Sequence, residues 1–80
     1  MVDAAWHEEM RGRCRGFLLA VADRLPEHTA GLAGELIDAN EYGIAIEMIV
    51  DVLDQTGASL GDDESDWLHS LLFDMGLGER

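Results

Sequence analysis

The stretch NEYGIAIEMIVDVLDQTG, residues 40–57, constrains the fold more than any other part of the chain. Its apolar residues recur every three or four positions instead of alternating. That pattern excludes a half-buried strand and specifies an amphipathic helix. At about 100° per residue, Tyr42, Ile49, Val50 and Leu53 fall within roughly 60° of Ile46, with Ala45 and Val52 flanking the stripe. Glu47, Asp51 and Asp54 fall together on the other side, at about 100°, 140° and 80°, as an acidic ridge beside the buried face. Asn40 can cap the start of this helix, and Gly57 can take the left-handed conformation that ends it. Ile44 and Met48 lie off the stripe, near about 160° and −160°, and need a second packing surface or an external partner.

The remaining helices follow from the same periodicity. A first helix is predicted from Asp3 to Leu25, capped by Asp3, with Trp6, Met10, Cys14, Phe17, Leu18, Val21 and Leu25 on one broad face. Glu9 with Arg13 and Glu8 with Arg11 are spaced for pairing along the helix surface, whereas Arg11 and Arg15 repel. Gly12 and Gly16 weaken the helix interior and permit a close helix approach. Leu19 lies opposite the stripe, and Pro26 ends the helix or opens the next segment. A shorter helix is predicted over Thr29–Ala39, capped by Thr29, with Leu32, Leu36 and Ile37 facing the core.

Residues 57–64, GASLGDDE, read as a loop into a last helix. Asp62 caps it, Leu60 anchors it, and Asp63, Glu64 and Asp66 suit its N-terminal end. Leu68, Leu71, Leu72 and Met75 form the inner face, and Gly76–Leu77 is a stop signal. Trp67 sits at the edge of that stripe, while Phe73 lies opposite it beside Asp66. The expected architecture is all-α: a small irregular antiparallel four-helix bundle with a short second helix, forming one domain over residues 1–80.

Eighty residues bury about 60% of the surface of the extended chain, so the core is small and a bound partner stabilises it appreciably. The sequence has no basic leader and no apolar run long enough to span a membrane. Cys14 is the only cysteine, which rules out an intrachain disulfide, and its place on the apolar stripe predicts ordinary burial. The expected location is cytoplasmic. Charge is the most informative bulk property. In residues 1–26 four arginines balance four acids, whereas residues 27–80 hold thirteen acids against Arg80 alone, which places the whole net charge of −12 there. Such an imbalance opposes direct binding to nucleic-acid backbones and favours a basic protein partner. A highly charged soluble surface accounts for the same composition without a partner.

Nothing in the sequence specifies catalysis. His7, His28 and His69 are far apart and lack ligand spacing around Cys14. Ser59, Ser65 and Ser70 sit in no nucleophile elbow. GDDESD does not align with the alternating ligands of a calcium loop. No catalytic, cofactor or metal site is therefore expected. GASL at 57–60 superficially resembles the Asp-Ser-Leu motif of acyl carrier proteins. Ala58 stands in place of that aspartate, GDDE follows where an apolar helix belongs, and the serine comes late in the chain.

Three segments together resemble the MafI family of immunity proteins: LAGELIDAN at 32–40, EYGIAIE at 41–47 and DDESDWLHSLLFDMGL at 62–77. The shared pattern is a short acidic helix, a Glu-Tyr-Gly turn, an alanine-containing amphipathic helix and a final helix ending in Met-Gly-Leu. It covers about residues 25–78. Asn40 stands where a glycine is common in that family, and Ile44 and Ile46 replace common leucines. The resemblance implies a dedicated inhibitor of a bacterial polymorphic toxin, frequently a nuclease. Its expected partner surface comprises Glu47, Asp51, Asp54, Asp62, Asp63 and Asp66, with Ile44, Met48, Trp67 or Phe73 as apolar anchors. Tyr42 is read as a core or turn residue. The alternative is a noncatalytic homodimerisation or assembly module that buries Ile44, Met48 and Phe73 between copies.

Overall fold

The structure, a computed structural model, describes residues 4–75. Four helices account for most of them: α1 (Ala4–Val21), α2 (Glu27–Asp38), α3 (Tyr42–Thr56) and α4 (Asp62–Asp74). No strand occurs among the described residues, and none of their helices is long and apolar enough to cross a membrane. The chain forms the expected all-α four-helix bundle, with a Cα radius of gyration of 12.0 Å. The Asp3 cap and the Gly76–Leu77 stop lie outside the described residues.

The stripe of α1 is buried as its spacing requires: Met10, Cys14, Phe17, Leu18 and Val21 leave solvent, and Trp6 packs half-buried against them. Burial pushes the Cys14 thiol up to about 11, with Arg13 pulling the other way. The helix stops at Val21, short of the predicted Leu25. A 3₁₀ turn over Ala22–Arg24 follows, and Leu25 is extended (φ −112°, ψ 147°) because the ring of Pro26 disfavours helical backbone before it. The local pairs expected on the surface of α1 do not form. Its arginines reach other elements instead.

Pro26, not Thr29, occupies the cap position of α2, with Ala30 N–H donating to Pro26 C=O at 3.0 Å. The helix thus begins two residues before the predicted start, and at 12 residues it is only one shorter than the 13 of α4. Thr29, Ala33 and Ile37 form its buried row. Leu32 stays 39% exposed, since it lies about 100° from Ala33 around the helix.

Asn40 closes the end of α2, just past its C-cap Ala39, instead of capping the start of α3. Its φ is +65°, its N–H bonds Ile37 C=O at 3.0 Å, and Glu41 N–H bonds Leu36 C=O at 2.8 Å. These two bonds define a Schellman ending of α2, which needs a left-handed residue that asparagine tolerates. Glu41 takes the cap position of α3. Gly57 closes α3 in the same way: φ is +77°, Gly57 N–H bonds Asp54 C=O at 3.2 Å, and Ala58 N–H bonds Leu53 C=O at 3.0 Å. At α4, Gly61 rather than Asp62 holds the cap position, and its N–H donates to Glu64 Oε1 at 2.9 Å.

Helix α3 buries Tyr42, Ala45, Ile46, Ile49 and Leu53, with Val50 and Val52 half-buried at the margins. It packs most closely on α2, but α1 is the element packed closely against all three other helices. Helix α4 rests on α1 through Leu68 and Leu71. Neither α2 with α4 nor α3 with α4 is among the closely packed pairs of the described residues.

Candidate partner-binding surface

Charge is distributed in the fold in a way that spacing along the chain does not show. All four described arginines lie on α1 or its 3₁₀ extension, and each holds another part of the chain. Arg15 pairs with Asp38 at the end of α2. Arg11 Nη2 donates to Asn40 Oδ1 at 3.2 Å, at the α2–α3 junction. Arg13 reaches α4, bonding Asp74 Oδ2 at 2.5 Å and Ser70 Oγ at 2.8 Å. Arg24 grips Glu64 with both terminal nitrogens, at 2.6 and 2.5 Å, and also donates to Ser59 C=O and Ala20 C=O at 3.2 and 2.8 Å. The hydrogen bonds from Arg24, then that from Gly61 N–H, hold the Glu64 carboxyl down at about 2.

The six predicted acids are among those the arginines leave unpaired; Glu8, Glu9, Glu27, Glu35 and Glu41 are exposed and without an ion pair among the described residues as well. Glu47, Asp51 and Asp54 are exposed on α3, and Asp62, Asp63 and Asp66 are exposed on and around the outer face of α4. None of the six is ion-paired among the described residues. Ile44, Glu47, Asp51 and Asp54 follow one another at helical intervals, so they form one stripe about 15 Å long. Asp62, Asp66 and Phe73 do the same along α4.

The apolar anchors separate into two kinds. Ile44 is 55% exposed and Phe73 is 62% exposed, both facing solvent as expected. Met48 is half-buried against the core, next to Ala45 and Val52 around the helix, so its second packing surface is internal. Trp67 is half-buried too. Its ring meets Phe17 edge-on, with centroids 6.0 Å apart, and lies over Gly16. Met48 and Trp67 therefore contribute to the packing of the bundle, whereas Ile44 and Phe73 do not. Tyr42 is buried, as expected of a core residue, and its hydroxyl donates toward Asn40 Oδ1 at 2.7 Å.

A groove of about 500 Å³ is lined by Trp6 and His7 of α1, by Asn40 and Glu41 with the start of α3 (Tyr42, Gly43, Ile44), and by Asp74 at the end of α4 with Met75 after it. These ends share one pole of the bundle, which brings Ile44 and Phe73 to the same end. Asp54 and Asp62 lie at the opposite pole, where residues 57–61 join the two helices. There Val50, Leu53, Asp54, Ala58 and Leu60 line a smaller cleft of about 170 Å³. Periodicity alone does not single out this cleft. Its signal is the Leu53–Gly57–Ala58 ending of α3, because a Schellman turn folds the residue after its glycine back onto the last helical turn.

Among the described residues, no group of three or more His, Cys, Asp or Glu side chains is placed to hold a metal ion. Comparisons with protein-family models, with curated proteins and with solved structures each give no match.

Proposed function

We propose that this chain is a noncatalytic immunity protein that binds and neutralises a basic bacterial toxin domain, of the kind that nucleases provide, in the cytoplasm. One observation carries the reading. The four described arginines each bond another residue of the same chain, while six acids on α3 and α4 face solvent unpaired, with exposed Ile44 and Phe73 at one end of the same helices. A nuclease holds phosphate in a basic groove, and an acidic surface competes for it. The resemblance to MafI-type proteins over residues 32–47 and 62–77 supports the same reading. The left-handed backbone at Asn40 gives a physical reason for a glycine at the matching place in that family.

The test is inhibition by the purified chain of a toxin nuclease found by sequencing the genes beside its own, together with a size measurement of the mixture. Stoichiometric inhibition with a one-to-one complex supports the proposal. Full nuclease activity in the presence of excess chain overturns it. The exposure of Ile44 and Phe73 favours one alternative, a self-associating module. Two copies of a chain with net charge −12 repel each other, so that reading requires a dimer that persists on dilution at low salt.

A further inference from the structure

We infer that the cleft under the α3–α4 connection seats an aliphatic side chain from a basic segment of the partner, flanked there by lysine or arginine. The proposal rests on the immunity reading for the partner's biology but not for its chemistry. Leu53 forms the buried floor, Val50, Ala58 and Leu60 are half-buried walls, and Asp54 is exposed on the rim. A cavity of roughly 150 Å³ lined by apolar side chains holds a benzene-sized group. The cleft, at about 170 Å³, therefore has room for one leucine side chain.

The cleft is preformed, which lowers the entropy cost of filling it. On one side Gly57 and Ala58 are bonded back to the last turn of α3. On the other, Arg24 holds Ser59 C=O, and Glu64 holds Gly61 N–H. Every residue from 57 to 61 except Leu60 thus has a backbone hydrogen bond to a neighbouring element or helix end. The wall residue is fixed between the tethered ones.

Charge selects the occupant. Asp54 on the rim, Asp51 one turn away along α3 and Asp62 just beyond the loop are all unpaired among the described residues. They repel a fatty acid or an acidic peptide and attract a cation beside the inserted side chain. A second copy of this chain is a poor occupant. It contains no lysine, and its four described arginines are engaged internally.

The experiment uses two synthetic probes, acetyl-Lys-Leu-Lys-amide and acetyl-Lys-Ala-Lys-amide, titrated into the isotope-labelled chain and followed by NMR. Saturable shifts are expected at Val50, Leu53, Ala58 and Leu60, with the leucine probe binding about tenfold more tightly, as removal of one branched side chain from water predicts. Ala58→Leu fills the cleft and is expected to abolish the preference for leucine. Asp54→Asn leaves the packing alone and is expected to weaken both probes by about threefold while keeping the preference. Equal binding of the two probes overturns the inference, as do shifts confined to residues outside the cleft or no saturable shift at millimolar probe. Because no toxin is used, these outcomes are separate from inhibition of the neighbouring nuclease. An inhibitor that ignores both probes refutes the cleft alone, and a chain that binds them without inhibiting refutes the immunity reading alone.

Discussion

The indole of Trp67 lies against the backbone of Gly16: a Cβ at that position would stand 3.0 Å from Cζ2 and 3.1 Å from Cη2. Gly12, one turn earlier on the same helix, has nothing within 4 Å of the corresponding point. The two glycines therefore respond oppositely to a methyl group. Gly12→Ala is expected to stabilise the bundle by about 1 kcal/mol, the difference in helix propensity. Gly16→Ala gains the same propensity but pushes Trp67 off its contact with Phe17, so its net effect is expected to be zero or destabilising. Urea unfolding of both variants checks this, and an equal gain at the two sites would count against the close approach.

Asn40 can be tested in the same manner, because its two candidate roles rank substitutions differently. As a helix cap, serine or aspartate would replace it well and glycine only slightly worse. In the left-handed position observed, at φ +65°, glycine is the least harmful replacement. Asn40→Ala is expected to cost about 2 kcal/mol, from backbone strain and the lost bonds to Arg11 and Tyr42. Asn40→Gly forfeits only the bonds. Thermal melts in which Asn40→Ser proves more stable than Asn40→Gly would return the residue to α3.

Asn40 also marks where sequence reasoning reaches its limit. The helices themselves were legible, since Met10–Cys14–Phe17–Val21 and Tyr42–Ile46–Ile49–Leu53 repeat with a period no strand can satisfy. Their starts were not. Asparagine serves at either kind of helix end, and only the bonds to Leu36 and Ile37 show which one it closes. Both Ile44 and Met48 are off the stripe of α3, but which is covered depends on where the neighbouring helices lie. The arginines were harder still. Spacing rules see partners three or four residues away, whereas Arg11, Arg13, Arg15 and Arg24 bond residues 29, 61, 23 and 40 positions distant. The acidic surface was therefore legible as a list of residues. That the arginines leave all six of these acids unpaired was not.

The Arg24–Glu64 pair carries a pH signature. Its folded-state carboxyl sits at about 2, against an ordinary 4.5, through hydrogen bonds from Arg24 and Gly61. A carboxyl depressed by folding stabilises the native state fully above its unfolded value and loses that contribution as pH falls through the folded one. Arg24 is held above its usual range by the same contact and stays charged throughout. The stability gap between the parent chain and Glu64→Gln is thus expected to be constant above about pH 5 and to shrink steadily toward pH 2. Urea midpoints across that range measure it. A gap that does not change with pH would assign the stabilisation to packing instead.

Ile44 and Phe73 stand at one pole of the α3–α4 pair and the acids run away from them, so the two groups are expected to control different rate constants. Charge on the ridge acts at a distance. Replacing Glu47, Asp51 and Asp54 together by Gln, Asn and Asn should slow association with the proposed basic partner by about tenfold at low salt and flatten its salt dependence, leaving dissociation nearly unchanged. A desolvated aromatic acts only after contact. Phe73→Ser should leave association alone and speed dissociation by about tenfold or more, at little cost to the fold, since the ring is 62% exposed. Salt separates the effects further. Screening weakens the encounter, but it also relieves repulsion among the unpaired acids, so the free chain should melt at a higher temperature as its partner binds more slowly. Stopped-flow association, surface-based dissociation and a melt at each salt concentration measure the three quantities. If the triple variant and Phe73→Ser change the same rate constant, the division between steering ridge and apolar anchor fails.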